Sequence, residues 1–317
     1  MSSPLDSTYG VWLVSLFLET ILYGMGLLQT YIYFSGPSAD VASVKRMVLL
    51  VLVLETIQIV FFFRSSYFRF VEQFGQIQTD LIWADSLQLL AAYLSAFTVQ
   101  LYFASRIYSL TKTHGKFSLA AFGLYTILLL SVVQIVAGVV QTVWSYELGS
   151  YLKLGETKAI TTLQSAASFA CDVLITVYLY LFLKSHKGNV KKTNSMINML
   201  ILDAVNRGIL TALSSCLNMV LFLAKPDTFW FFLGLAPSSK LFMNSMLSTL
   251  NTRQQIRDKL SSNDKGWNSI QMGTLSTGDS HSQKRFQSER HASVAVELEI
   301  EKAASVGRHS SVTGVAV

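Results

Sequence analysis

The chain has 317 residues, of which 51% are hydrophobic and 14% are charged, and its mean hydropathy is +0.42. A typical soluble domain carries about 25% charged residues, so this composition argues against one large water-soluble core. The net charge of +6 is divided among short polar segments rather than gathered in a basic groove interleaved with aromatic residues. We therefore expect no nucleic-acid partner.

Seven apolar stretches are long enough to cross a bilayer, whose hydrocarbon core of about 30 Å takes roughly 20 helical residues. Helices also satisfy their own backbone hydrogen bonds, which lipid cannot do for them. The sequence thus predicts an all-α fold, a polytopic bundle of seven transmembrane helices with the lipid bilayer as its surroundings. In chain order the predicted spans are Tyr9–Phe34, Arg46–Tyr67, Asp85–Leu110, Phe117–Trp144, Lys158–Leu183, Thr193–Leu223 and Thr228–Leu250.

Polar segments separate these spans. The segment Phe68–Trp83 mixes apolar residues with acids and is expected to form an amphipathic or irregular loop. Lys225–Asp227 contains a proline and predicts a turn between the last two helices. The first span is too long for the core of a cleaved signal peptide and is expected to act as its own targeting signal. Cys171 and Cys216 fall inside spans, where small buried side chains are the expected role.

Basic residues predict the orientation, because short cytoplasmic loops hold an excess of Lys and Arg. With the N-terminus outside, the inner connections and the start of the tail carry twelve such residues and the outer connections carry five. We therefore expect a multi-pass protein of the plasma membrane with its C-terminus in the cytoplasm. The predicted organisation is a short extracellular segment (1–8), a seven-helix membrane domain (9–253) and a cytoplasmic tail (254–317).

The tail is polar, rich in Ser and Gly, and is expected to be mostly disordered. Ser288, Ser293 and Ser311 each follow an arginine by three residues, as basophilic kinases prefer. They are candidate phosphosites for a cytoplasmic kinase or effector, against the plainer interpretation of a solvated tail. The segment Val294–Glu301 alternates apolar and polar residues, as a strand does, although an unused tail segment is the simpler expectation.

Ionisable residues within the spans carry the most functional information, because a charge at mid-membrane costs about 2.5–3.5 kcal/mol and usually faces the bundle interior. Arg207 follows Asp203 by one helical turn and can pair with it, whereas Lys240 could pair with Asp172 or Glu55. Two acids then lack a basic partner. Two interpretations stay open: a polar cluster that fixes helix register, or a pocket for a small ligand or ion. The candidate residues are Glu19, Glu55, Asp172, Asp203, Arg207, Lys240 and Asn244.

Lys240 in the seventh helix raises the possibility of a Schiff base with retinal. Microbial retinal proteins usually have an Asp four residues before that lysine, and here this position is Ala236.

We expect no cofactor, no metal site and no enzymatic activity, because catalytic motifs and clustered histidines are missing from the sequence. Pro237 is expected to break the last helix. The pair Gly24 and Gly26, and Gly208 in the sixth helix, are expected to permit close helix contacts.

Three segments together resemble one protein family: Leu22–Phe34, Val99–Tyr108 and Ser239–Arg253, the last with a Ser-Lys-Leu-aromatic-x-Asn-Ser run followed by Leu-Asn-x-Arg. The family consists of fungal, chiefly mushroom-type, integral membrane proteins. The resemblance implies a domain of unknown function at about 167–253. The family's second helix has an Asp, a Thr and a nearby His, where this chain has Glu55, Thr56 and Gln58.

Three functions fit these patterns. A receptor-like sensor agrees with seven spans, an outside N-terminus and a serine-bearing tail. However, Arg106 follows Ser105 rather than the acid that receptors coupled to G proteins have there. A transporter or proton pathway could use the intramembrane carboxylates, and Leu18–Ile21 recurs as Leu54–Ile57. A structural membrane protein without a ligand is the third. We expect the receptor-like sensor.

Overall fold

The computed structural model describes residues 5–36, 40–76, 78–112, 117–185, 191–225 and 228–273. Within these ranges the chain forms seven α-helices and no strand, and the nearest approach to a sheet is one bridge between Asp80 and Ser150. The all-α prediction is confirmed for this part of the chain. The helices are α1 (Val11–Ser35), α2 (Ala42–Tyr67), α3 (Trp83–Lys112), α4 (Phe117–Leu148), α5 (Lys158–Ser185), α6 (Lys191–Ala224) and α7 (Phe232–Gly273).

Short helical segments extend several of these ends. Asp6–Gly10 is a π-helical turn before α1, and Phe68–Glu72 continues α2 in the same conformation. Tyr151–Thr157 and Phe229–Phe231 are 3₁₀-helical turns before α5 and α7. The segment predicted as a loop after α2 is therefore helical in its first five residues.

Six of the seven described helices are long and apolar enough to cross a membrane, and α7 is the exception. The position of α7 inside the bundle explains its lower hydropathy. It packs against α1, α2, α3 and α6, and no side chain from Phe229 to Gln254 is exposed. A helix that touches protein on all sides does not need an apolar surface to be soluble in lipid, so α7 can carry many polar side chains.

Two clusters of contacts mark the ends of the bundle. At one end, which we call the Trp12 end, Trp12 packs against Phe62, Tyr151, Phe229 and Phe232. At the other, which we call the Arg253 end, Arg253 of α7 lies 3.6 Å from Asp40, which follows α1. Helices α1 and α7 therefore both run from the Trp12 end to the Arg253 end, side by side and in the same direction.

The bundle exposes large apolar side chains on its outside and encloses polar as well as apolar side chains. Large apolar side chains such as Phe17, Leu28 and Phe63 point away from the bundle and are about 60% exposed (63%, 60% and 60%). Polar and charged side chains such as Glu55 and Lys240 are fully enclosed. Contiguous apolar surface of this extent marks contact with a membrane or a partner, and the helix lengths favour a membrane. The chain is a multi-pass membrane protein by this pattern.

Two features of α7 differ from prediction. The helix runs through Pro237, its sixth residue, without a break. Two carbonyls just before the proline accept hydroxyl hydrogen bonds: Gly234 O from Ser214 (2.7 Å) and Leu235 O from Ser238 (2.7 Å). The helix also continues to Gly273, into the segment for which disorder is predicted. Residues 274–317, with the candidate phosphosites Ser288, Ser293 and Ser311, lie outside the described residues.

Candidate functional sites

Lys240 joins three helices through a buried ion cluster, which we call the Lys240 triad (Glu19, Glu55 and Lys240). Its Nζ lies 2.6 Å from Glu55 Oε2 and 3.2 Å from Glu19 Oε1, and all three side chains are fully buried. One residue comes from α1, one from α2 and one from α7. The predicted alternative of a Lys240–Glu55 pair is confirmed, and Asp172 is not its partner. Glu19, which was not predicted to pair with Lys240, takes that place.

The two acids of the triad have unequal surroundings. Glu55 accepts hydrogen bonds from Lys240, from the Ser95 hydroxyl of α3 and from the Ser239 hydroxyl, the last at 3.2 Å. Lys240 also contacts Gln58 Oε1 and donates to the Glu55 carbonyl at 3.3 Å. Neither oxygen of Glu19 has a hydrogen-bond partner among the described residues, despite the short distance to Lys240. Glu55 is therefore the well-bound acid and Glu19 the poorly bound one.

Asn244 lies one turn after Lys240 and ties α7 to α1. Its amide donates to the Leu22 carbonyl of α1 at 2.8 Å, and Asn251, seven residues later, donates to the Gln29 carbonyl at 2.9 Å. The close approach this requires occurs at Gly26, where an added Cβ would meet the end of the Met243 side chain. The predicted role of Gly26 in close packing is confirmed, whereas Gly24 has open space around it.

Asp172, Asp203 and Arg207 form a second charged region, which we call the Arg207 cluster. The predicted Asp203–Arg207 pair is wrong: Asp203 accepts from Ser248 (2.7 Å) and Thr249 (2.9 Å) of α7, and no ion pair joins it to Arg207 in the described ranges. The hydroxyls of α7 lie opposite Asp203, so its carboxylate turns to the neighbouring helix. The Arg207 guanidinium stacks 3.7 Å above the Phe103 ring instead.

Arg69 and Asp85 form a further buried ion pair, which was not predicted from the sequence. Arg69, counted from sequence among the charges of an outer loop, donates to Asp85 Oδ2 at 2.8 Å, and both side chains are almost fully buried. The guanidinium also lies 4.5 Å from the Trp12 ring and 5.1 Å from the Tyr151 ring. Ser65 lies one helical turn before Arg69 and binds both Arg69 and Asp85. That spacing was the one feature of the sequence that could have indicated a helix, rather than a loop, at Arg69. We call this the Arg69–Asp85 pair.

A cavity of about 40 Å³ opens beside the Arg69–Asp85 pair, between α3, α4, α5, α6 and α7. One buried water molecule occupies roughly 10–15 Å³ of such a cavity, so this one has room for about three water-sized groups. Its wall is aromatic on the side of α6 and α7 and polar on the side of α3, α4 and α5. The residues that line it are Leu81, Asp85, Ser86, Gln88, Leu89, Gln141, Ser145, Tyr151, Leu154, Thr161, Asn218, Phe222, Phe231, Phe232 and Leu235.

Two hydroxyls in this wall are unpartnered. Ser86 Oγ and Ser145 Oγ are buried and have no hydrogen-bond partner among the described residues. A buried polar group without a partner costs about 1–3 kcal/mol, which a bound molecule with suitable acceptors or donors would offset. A second cavity of about 20 Å³ lies deeper and shares Asn218 and Leu235 with the first. We call the two together the Trp12-end cavity.

The site predicted from sequence is thus divided into separate parts. Glu19, Glu55 and Lys240 meet, Asp203 and Arg207 lie elsewhere, and none of the seven candidate residues lines the Trp12-end cavity. The cavity escaped prediction because its polar members are mostly neutral Ser, Thr, Gln and Asn residues. Such residues are common in membrane helices and mark no site by their spacing alone.

A family of unknown function, DUF6534, matches residues 168–255. The chain therefore carries a DUF6534 domain that spans most of α5, all of α6 and α7 as far as residue 255, close to the predicted 167–253. Lys240 belongs to this domain, whereas Glu19 and Glu55 lie outside it. No curated protein and no solved structure matches the chain.

Proposed function

We propose that this chain is a seven-pass, receptor-like membrane protein that binds a small neutral molecule in the Trp12-end cavity. The observation that carries the proposal is the pair of unpartnered hydroxyls, Ser86 and Ser145, in a cavity with one polar and one aromatic wall. Concave, largely apolar sites with a few convergent polar groups are typical of small-molecule binding.

The proposal includes α7 as the seventh transmembrane helix. It extends from the aromatic contacts at Trp12 to the Arg253–Asp40 ion pair, the same two ends between which α1 runs. Its polar character is compatible with this position because the other helices shield it from lipid.

The Trp12 end is proposed to face outside. The support is the count of Lys and Arg: five lie in the connections at this end, against twelve in the opposite connections and the start of the tail. Short cytoplasmic loops hold the excess of these residues, which favours a cytoplasmic Arg253 end.

The ligand is proposed to be neutral. Asp85 is the charged residue that lines the cavity, and its two carboxylate oxygens are already occupied by Ser65, Arg69 and the Ile82 amide (2.9 Å). A cationic ligand would have to compete with Arg69 for these oxygens, and an anionic ligand would face Asp85. A small alcohol, ketone or amide could instead bind the two serine hydroxyls and place its apolar part on the Phe231 and Phe232 side.

Helix α7 offers a route from the cavity to the other side of the membrane. Phe232 and Leu235 line the cavity, and the same helix continues without interruption to Gly273. A ligand that displaces these side chains would move a helix that ends beyond the Arg253 end.

Neither cavity is lined by Glu19, Glu55 or Asp172, so the transporter alternative through intramembrane carboxylates finds less support.

The test is a thermal-shift screen of the detergent-purified protein against small alcohols, ketones and amides, with amines and carboxylic acids of equal size as controls. We expect neutral compounds to raise the melting temperature and Ser145→Ala to abolish the rise. Ser131→Ala is the matched control, because Ser131 is also buried on α4 but binds Ile127 O (2.9 Å) outside the cavity. A stabilising compound that acts equally on Ser145→Ala, or only charged stabilisers, would contradict the proposal.

A further inference from the structure

The charges of the Lys240 triad do not balance. Two carboxyl groups and one ammonium group are enclosed with no exposure to solvent or lipid. The other groups that face them are neutral: the Tyr23 ring from α1, Gln58 from α2, Ser95 from α3, and Ser239 from α7. With both acids ionised, the triad would carry one uncompensated negative charge inside the membrane.

A lone buried charge is far more expensive than a buried ion pair, and carboxyl groups in such places bind a proton instead. The geometry decides which acid does so. Glu55 receives three hydrogen-bond donors and lies 2.6 Å from Lys240, which is the arrangement of an ionised carboxylate. Glu19 lies farther from Lys240, at 3.2 Å, and receives no donor with hydrogen-bond geometry in the described part of the chain.

We infer that the Lys240 triad is a proton-binding site in which Glu19 holds one proton while Glu55 and Lys240 form the ion pair. The site is independent of the proposed ligand cavity, which is lined by other residues. With the proton bound, the contact between α1, α2 and α7 is electrically neutral. When the proton leaves, Glu19 and Glu55 become two negative charges competing for one ammonium group.

The direct test is infrared spectroscopy of the purified full-length protein in lipid, comparing wild type with Glu19→Gln. A protonated carboxyl has a carbonyl stretch that an ionised one lacks. We expect one such component to disappear in Glu19→Gln. An unchanged carboxyl region in this variant would overturn the inference, because it would show Glu19 ionised in the wild-type protein.

The second measurement compares the stability of two conservative variants. Glutamine has the shape of a protonated glutamate, so Glu19→Gln should melt within about 2 °C of wild type, a shift of about 1 kcal/mol for a chain of this size. Glu55→Gln should melt lower than Glu19→Gln, because Glu19 must then give up its proton and pair with Lys240 over a longer distance. Equal losses in the two variants, or failure of Glu19→Gln to fold, would contradict a neutral Glu19.

A monovalent metal ion could balance the charge in place of a proton, and a salt exchange distinguishes the two. The melting temperature of wild type is measured in sodium chloride and in choline chloride at equal ionic strength. A proton site predicts no difference between the two salts. Sodium-dependent stabilisation that Glu19→Gln removes would replace the proton with a cation and overturn the inference.

Discussion

The Arg69–Asp85 pair and the Lys240 triad are both enclosed charge clusters, yet they differ in balance. The pair matches one base with one acid, and each carboxylate oxygen of Asp85 has a donor. The triad gives one base two acids, and the oxygens of Glu19 have no hydrogen-bond donor in the described structure. The first arrangement suits a rigid wall beside a cavity, whereas the second leaves a group whose charge can change. Charge balance, rather than burial, separates the two.

The largest expected effect is at the base of the triad. Lys240→Ala removes the group that attracts Glu55 and Glu19, and breaking a buried pair in this way costs about 3–5 kcal/mol. We expect this loss in reversible unfolding of the protein in mixed micelles. Lys184→Ala is the control, since Lys184 is exposed at the end of α5. If the two lysine variants unfold at the same point, the triad does not hold α1, α2 and α7 together.

Arg69→Ala should rank next, with a loss of about 3 kcal/mol. The loss is smaller than for Lys240 because Asp85 keeps its bonds to Ser65 and to the Ile82 amide. The same variant should abolish stabilisation by neutral ligands, because Asp85 lines the cavity.

Arg64→Ala is the matched control for Arg69→Ala. Arg64 lies on the same helix and pairs with Glu72, but their side chains are 41% and 39% exposed. Exposed pairs of this kind contribute about 0–1 kcal/mol. A loss in Arg64→Ala equal to that in Arg69→Ala would show that burial of the pair has no energetic consequence here.

Three glycines extend the comparison to helix packing. An added Cβ at Gly234 would lie 2.8 Å from the backbone Cα of Asn218, so Gly234→Ala should force α6 and α7 apart and cost about 1–3 kcal/mol. At Gly26 the obstacle is the flexible end of Met243, which can move, so Gly26→Ala should cost less. Gly24→Ala, with open space, should gain up to about 1 kcal/mol from helix propensity. Melting temperatures that do not follow this order would contradict the packing described.

The smallest effect is expected at the Arg253 end. Arg253 and Asp40 are 3.6 Å apart, and the Arg253 side chain is 32% exposed, so Arg253→Ala should cost about 0–1 kcal/mol. The measurement is the same unfolding midpoint used for Lys240→Ala. If Arg253→Ala lowered the stability as much as Lys240→Ala does, the Arg253 end would matter to the stability of the bundle as much as the Lys240 triad.

Much of the fold could be predicted from sequence, because lipid imposes a minimum length on apolar helices. The first six predicted spans coincide with described helices to within about four residues at each end, whereas α7 extends well beyond its predicted end at Leu250. The domain match begins one residue from the predicted boundary. Lys240 and Glu55 were paired correctly as one of two alternatives. These successes rest on segment length and on the high cost of charge in a membrane, both of which are visible in a single sequence.

Partner choice within the bundle could not be predicted, because it depends on how the helices are rotated. Arg207 shares a helical face with Asp203, yet the α7 hydroxyls Ser248 and Thr249 take the Asp203 carboxylate. Arg69 was assigned to a loop because the helical continuation of α2 has no distinctive composition. The Trp12-end cavity was not predicted because its mostly neutral polar residues are common in membrane helices and mark no site by their spacing.

The contact between α1 and α7, with asparagines that bind backbone carbonyls seven residues apart, has a consequence for biosynthesis. Helix α1 is synthesised before α7, so the face of α1 that packs on α7 stays uncovered until α7 is made. Until Lys240 is translated, Glu19 and Glu55 are in the bilayer without a base. A chain truncated before α7 therefore leaves both acids without the base that contacts them in the folded protein.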